Sequence, residues 1–264
     1  MPLFLIRAFI APTLTLAAHP FLWAGSDSHL GQLPSLFENQ SEEPQALTFG
    51  LTYSFDHFEN LSGGFSTGGT SLGLLDLGFE LDLDTLFGWQ DTSFSLSAFA
   101  PHGNDFSAGK VGDFSVVSNI YADTEFNLFR IQLVKKWKDS ESFIKIGQIA
   151  ADDDFMGTPT AEIFINSAFV PFNTQSGNTA SPIFPLAAPG VVLHLNPWEN
   201  VSFTTGLYAG FSGDENSNNR GFEWELGGEN GYAFFLQAAY QYIIDLHFSG
   251  DNAFVAGIRS RLTF

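Results

Sequence analysis

The residue types that most often carry out chemistry are sparse in this sequence. The chain has no cysteine, so thiolate nucleophiles, disulfides and thiolate metal sites are excluded. Its six histidines include no His-x-x-x-His pair, which makes a histidine metal site improbable. Asp152, Asp153 and Asp154, with Glu162 nearby, have the side chains of a metal or acid–base site, but three consecutive residues alternate in direction within a predicted loop. We therefore predict a solvated turn there, or a weak calcium contact through oxygen ligands.

Other charged residues lie at every second position of an otherwise apolar segment. From Leu75 to Leu83 the odd positions are Leu or Phe, and the even positions include Asp76, Glu80 and Asp82. Successive side chains of a strand point to opposite faces, so this segment predicts a strand with one apolar and one anionic face. Leu47 to Phe55 alternates in the same way, with Thr, Gly and Ser on its polar side.

The same alternation continues along the chain and predicts a protein made of strands. Copies of it occupy residues 93–99, 126–137, 143–150, 190–196, 201–210, 232–244 and 253–264. Short connections (87–91, 138–141, 197–200) alternate with long ones (60–69, 101–124, 151–189, 211–221). Short turns on one side and long loops on the other are typical of outer-membrane β-barrels. Counting 222–226 as a short strand, we predict an all-β, antiparallel transmembrane barrel of about ten strands with both termini periplasmic.

Composition and charge limit the class of protein further. Acidic residues outnumber basic ones by 29 to 10, and the net charge of -19 argues against binding nucleic acid. The short basic start and the apolar stretch up to Trp23 predict a signal peptide over residues 1–24. Residues 25–45 are then expected to form a periplasmic N-terminal segment and residues 46–264 the barrel. Beyond the signal, no apolar run is long enough for a membrane-spanning helix.

A series of short motifs, in order along the chain, carries a family resemblance. The motifs occupy residues 75–83, 88–89, 101–103, 111–113, 117–120, 146–148, 154–155, 164–169, 184–190, 241–243 and 255–259. They resemble the carbohydrate-selective porins of Gram-negative outer membranes, and the terminal Phe264 is similar to the aromatic ending common among outer-membrane proteins. The resemblance implies passive diffusion of small carbohydrates, with outer-membrane lipid as surroundings, small neutral sugars as permeants and no cofactor or enzymatic activity.

The sequence departs from this family after Gly210. Family members usually have sixteen strands, whereas part of the region between Gly210 and Gly231 is missing here, which resembles an internal deletion. A barrel of about ten strands lies between the roughly eight that side chains can fill and the sixteen or more that leave an aqueous channel. By the resemblance, we expect residues 151–189 to fold against or into the barrel; the alternative is a solvated extracellular loop.

The polar faces supply the residues that would line a channel. An acidic wall would face cations across the lumen, and neutral side chains would add hydrogen-bonding groups for hydroxylated solutes. These channel-lining residues are Asp76, Glu80, Asp82, Arg130, Gln132, Gln148, His194, Gln237, Gln241, Arg259 and Arg261. No residue is assigned to catalysis or to a metal.

Three functions remain open at this point. The main hypothesis is an outer-membrane porin for small carbohydrates. The second is a non-conducting structural or interaction barrel that has lost its central strands, in which these charges only solvate the interior. The third is a secreted β-sandwich lectin or glycoside hydrolase, which would be soluble without detergent. The sequence does not decide whether copies associate into a homo-oligomer.

Overall fold

In the part of the chain that it describes, the computed structural model contains one antiparallel sheet of ten strands, each paired with the next along the chain. The strands are β1 (Ile6–Ile10), β2 (Leu47–Asn60), β3 (Gly68–Asp82), β4 (Thr92–Gly103), β5 (Asn127–Trp137), β6 (Ser142–Ile149), β7 (Ala188–Trp198), β8 (Val201–Ala209), β9 (Tyr232–Leu246) and β10 (Phe254–Thr263). The structure describes residues 6–10, 46–123, 126–155, 164–169, 181–214, 219–246 and 254–263. Side chains are described in 46–123, 126–155, 164–169, 181–214 and 220–240. The prediction of an all-β antiparallel fold is confirmed.

Alternation sorts the side chains onto two faces of the sheet. In an antiparallel pair, residues directly opposite each other share a face. Leu51 lies opposite Leu77, and Phe49 lies opposite Phe79 with their rings 5.0 Å apart, so the apolar stripes of neighbouring strands form one surface. We call this surface the outer face. It exposes the large apolar side chains Leu47, Phe49, Phe79, Ile144, Ile146, Leu195, Phe203, Leu207, Phe234 and Leu236.

The connections alternate between short and long, as the sequence predicts. The short ones include the five-residue helix α1 (Leu83–Phe87), the turn at residues 138–141 and the turn at residues 199–200. The Asp82 carboxylate caps α1 by accepting from the backbone N–H groups of Asp84 and Thr85, and Gly88 ends the helix at φ 71°. Three exposed tryptophans lie at these ends of the strands, namely Trp89, Trp137 and Trp198.

One predicted strand is wrong. Residues 222–226 contribute only a single bridge, between Glu225 and Phe211, and pair with no strand. Glycines in left-handed conformations flank the segment, with Gly221 at φ 96° and Gly227 at φ 74°, and they turn the backbone out of an extended path. The sheet reaches ten strands because it includes β1, which pairs with residues 56–60 of β2.

The predicted domain boundaries stay predictions. β1 falls within the predicted signal peptide, and its removal would leave β2 at the edge of the sheet. Residues 25–45, the predicted periplasmic segment, lie outside the described residues. Among the residues that are described, no helix has the length and apolar character needed to cross a bilayer.

Candidate functional site: the inner face of the sheet

The face opposite the apolar surface gathers polar side chains from neighbouring strands. Thr52 lies opposite Asp76 on β2 and β3, Glu80 lies opposite Ser95 on β4, and Ser95 in turn lies opposite Gln132 on β5. We call this surface the inner face. It includes Arg130, which lies opposite Ser97. The register therefore brings four of the predicted residues, Asp76, Glu80, Arg130 and Gln132, onto one side of the sheet.

An acidic turn folds onto the inner face directly after β6. Ala151–Asp153 form a single 3-10 turn, and the Ala151 N–H donates to the Pro182 carbonyl at 2.6 Å. We refer to residues 151–155 as the acidic turn. Its three carboxylates have three different environments, so this is not the solvated turn that the sequence predicts. Within the described part of the chain, no three acidic or histidine side chains are grouped closely enough to hold a metal ion.

Asp153 forms an ion pair with Arg130 of β5. The guanidinium donates through Nε to Asp153 Oδ2 at 2.5 Å and through Nη2 to Oδ1, so the pair is bidentate. The same guanidinium lies 4.3 Å from the centre of the Phe129 ring. The charges of Arg130 and Asp153 also act on Asp76. Arg130 is thus held between acidic groups on the inner face.

Asp154 forms the more deeply buried pair, with Lys145 of β6. Lys145 Nζ donates to the two carboxylate oxygens at 2.9 and 2.8 Å, and the side chains are only 1% and 2% exposed. Ile144 and Ile146, the neighbours of Lys145 in sequence, are exposed on the outer face. Because both charges are removed from water, the pair is stable only while both partners are present.

Asp152 differs from its two neighbours because it has no cationic partner in contact. Its Oδ2 accepts from the Phe184 N–H at 3.1 Å, and its Oδ1 is buried without a hydrogen-bond partner among the described residues. Burial and, after it, the negative charge of Asp153 raise the pKa of Asp152 to about 7, against the lowering effects of the Phe184 N–H hydrogen bond and of Arg130. Near neutral pH this carboxyl is therefore close to its titration midpoint.

Two aromatic side chains anchor the acidic turn and the 181–187 stretch. Phe155 stacks on Phe235 with ring centres 5.3 Å apart and packs over Gly206, where a Cβ would approach the Phe155 ring to 2.8 Å. Phe184, from the 181–187 stretch, contacts Phe99 at 5.0 Å and Phe129 at 5.9 Å between ring centres. Close packing therefore holds 151–155 and 181–187 against the inner face, as expected of the long connection.

The middle described part of this connection contacts another loop. The Asn119 N–H donates to the Ile165 carbonyl at 2.7 Å, and the Ser167 N–H donates to the Val116 carbonyl at 3.1 Å. Residues 164–169 are thus tied to residues 116–119, in the long connection that follows β4.

The predicted glutamines and the histidine are engaged within the wall of the sheet. Gln132 donates to Ser95 Oγ at 2.9 Å, and His194 Nδ1 lies 2.8 Å from Thr204 Oγ1. Gln148 donates to the carbonyls of Leu128 and Phe129 next to Gly147, whose φ of 149° and close contact with Ile131 O admit no side chain. Gln237 is buried opposite Thr204, and its Oε1 has no partner among the described residues.

The remaining predicted residues are placed as follows. Glu80 is within hydrogen-bonding range of Ser93, whereas the Asp82 carboxylate is occupied by capping α1. Arg259 lies opposite Gln241, and Arg261 lies opposite Ala239, between β10 and β9. The side chains of Gln241, Arg259 and Arg261 lie outside the described part, so their lining role stays a prediction.

Lys145 is absent from the lining residues predicted from the sequence, and the ion pairs of Asp153 and Asp154 were not predicted. Lys145 lies between two isoleucines in a predicted strand, and this alternation indicates a charged side chain on the polar face. Its partner could not be found, because the expectation that residues 151–189 fold against the barrel does not show which carboxylate meets which strand.

One sequence pattern shared with hydrolases has no catalytic geometry. Residues 64–68 match Gly-x-Ser-x-Gly, a motif that needs a sharp strand-to-helix turn to expose its serine. Here Ser66 lies in the loop between β2 and β3, and its hydroxyl donates to the Gly109 carbonyl at 3.2 Å.

The sheet and its two faces define a class of protein. An up-and-down antiparallel sheet with an exposed apolar face, and a polar face crossed by ion pairs, is typical of the wall of a membrane β-barrel. A sequence model of the carbohydrate-selective porin OprB family matches residues 66–241, more than half of the chain, so the chain belongs to that family. Proteins of this family are outer-membrane channels and not enzymes.

Individual relatives support the same placement. Porin B of Pseudomonas aeruginosa is 27% identical over 144 residues, which make up 52% of this chain and 31% of Porin B. The high-pH structure of Pseudomonas putida OprB superimposes with a TM-score of 0.66 and 20% identity, over 75% of this chain and 49% of that chain. This structural likeness shows the fold alone. The chain thus spans about a third of this curated relative and about half of the solved one.

Proposed function

We propose that the chain forms an outer-membrane pore through which small neutral sugars diffuse passively, with the inner face as its lining. The observation that carries this proposal is the difference between the two faces. The outer face exposes large apolar side chains that only lipid tails would solvate favourably, whereas the inner face gathers Asp76, Glu80 and the two ion pairs of the acidic turn.

The inner face suits neutral, hydroxylated solutes better than anions. Arg130 and Lys145 are already paired with carboxylates, so neither offers an unpaired positive charge to an anion. Hydroxyl, amide and carboxylate groups of Ser93, Ser95, Glu80 and Gln132 lie along the same wall. Such groups exchange hydrogen bonds with a passing sugar without binding it tightly, which permits transport in both directions.

The acidic turn and the 181–187 stretch narrow this path in the proposed pore. Both segments pack on the inner face, and both are fixed by buried aromatic side chains. We expect the pore to be small, because folded segments occupy part of the width that ten strands provide.

Conductance of the purified full chain in planar bilayers tests the proposal. We expect discrete current steps that become smaller when glucose is added. Sodium sulfate at matched osmolality is the control, and glucose should reduce the current steps to the same extent in its presence. A bilayer that stays silent, although heat-modifiable migration shows folded protein, would contradict the pore and favour the non-conducting barrel.

A further inference from the structure

The strongest unexplained feature of the inner face is the carboxyl of Asp152. It is the one carboxyl of the acidic turn without a contacting cation, and it joins the turn to the 181–187 stretch through the Phe184 N–H. That stretch carries no charged residue, so its contact with the turn depends on packing, on the backbone hydrogen bond from Ala151 to Pro182, and on this hydrogen bond, the one of the two that involves a titratable group. The groups that face Asp152 are Asp153, Arg130 and, across the cluster, Tyr208.

The neighbours of Asp152 leave its negative charge uncompensated. Arg130 is engaged by Asp153 and Lys145 by Asp154, so the two cations of the site already balance two carboxylates. A third negative charge would be buried with only backbone N–H groups as donors, and its Oδ1 has no partner among the described residues. Burying a charge with so little compensation is costly, and the cost falls if the group binds a proton or becomes hydrated.

We propose that protonation of Asp152 controls how tightly the 181–187 stretch is held against the acidic turn, so that the inner face is narrower at acidic than at neutral pH. The neutral carboxyl keeps the Phe184 hydrogen bond without a buried charge. The ionised carboxyl attracts water into the contact, and Phe184 loosens from Phe99 and Phe129. The narrowing of the path rests on the proposed pore, whereas the pH-dependent contact between the 181–187 stretch and the acidic turn does not.

The direction of the pH dependence follows from linkage. The docked Asp152 has a pKa of about 7, above the ordinary value of 3.8 that it regains when exposed, so docking is favoured by proton uptake. The stabilisation is fully present below about pH 4, weakens as pH rises, and is lost once pH passes about 7. One titrating proton limits the change in the docking equilibrium to about tenfold for each pH unit.

Amide hydrogen exchange of the refolded full chain tests this inference. Protection of residues 181–187, corrected for intrinsic exchange, should fall at least about tenfold between pH 5 and pH 7.5. In Asp152→Asn, which keeps the shape and the acceptor but cannot ionise, protection should stay high at both pH values. Asp139→Asn removes an exposed turn carboxyl and should behave like the wild type. Constant wild-type protection, or an Asp152→Asn variant that retains the wild-type pH dependence, would overturn the proposal.

Conductance recorded at the same pH values separates this inference from the proposed pore. Current steps that grow from pH 5 to pH 7.5 in the wild type, and stay small in Asp152→Asn, are the expected result. A silent bilayer with pH-dependent protection would refute the pore and leave the protonation switch standing. Conducting steps with pH-independent protection would refute the switch alone.

Discussion

The two faces of the sheet place different demands on the sequence. On the outer face, Phe49 and Phe79 pack side by side, but any large apolar residue would be equally well solvated by lipid. On the inner face, Lys145 needs Asp154 and Arg130 needs Asp153, because each buried charge is tolerated only with its partner. The outer face therefore depends on a residue class repeated at every second position, and the inner face depends on individual residues.

Breaking the buried pair on the inner face should have the largest effect. Lys145→Met leaves the Asp154 carboxylate without its cation, and we expect a loss of about 3–5 kcal/mol in the free energy of unfolding. Urea unfolding of protein refolded in lipid vesicles measures it. The double variant Lys145→Met with Asp154→Leu is the matched control and should recover most of the loss. A single variant as stable as the wild type would show that the pair is not buried.

Placing a charge on each face compares the two surfaces directly. Leu51 and Thr52 are adjacent on β2 and lie on the outer and inner faces respectively. Leu51→Lys should cost about 2–4 kcal/mol, because its ammonium enters the apolar part of the bilayer. Thr52→Lys, beside Asp76, should change the free energy of unfolding by less than about 1 kcal/mol. Equal costs for the two variants in vesicle unfolding would remove the distinction between the faces.

Substitutions of Asp82 test where the inner face ends. Because its carboxylate caps α1, Asp82→Ala should lower the free energy of unfolding by about 1 kcal/mol, whereas Asp82→Asn keeps a capping oxygen and should lose less. Reversal-potential measurements give a second readout. Asp82→Asn should leave ion preference unchanged, in contrast to Asp76→Asn, and a shift as large as that of Asp76→Asn would place Asp82 in the lumen.

The exposed pair of Lys138 and Asp91 should matter least. Its Nζ–Oδ1 distance is 2.5 Å, but the lysine side chain is 76% exposed at the turn after β5. Water and salt screen such a pair, so Lys138→Gln should leave the urea midpoint unchanged. A clear destabilisation would mean that this turn is buried by something outside the described residues.

The contrast between the faces also explains which parts of the fold and of the candidate site could be predicted from the sequence. The period of two in Leu47–Phe55 and Leu75–Leu83 predicts strands, faces and neighbours. Contact with lipid and membership of a sheet depend only on whether each residue is apolar or polar. The fit fails at residues 222–226, where flanking glycines at positive φ interrupt the extended chain. The acidic turn could not be predicted, since its role depends on contacts from Arg130, Lys145 and Phe184, between 9 and 32 positions away in sequence.

In the proposed barrel, lipid covers one face of these strands and water covers the other. The cysteine-free chain permits single cysteines at each position from Leu47 to Phe55, labelled with an environment-sensitive fluorophore in lipid vesicles. The account predicts quenching by brominated lipid at the odd positions and by aqueous iodide at the even positions, alternating along β2. Iodide quenching at all nine positions, or no alternation, would contradict it.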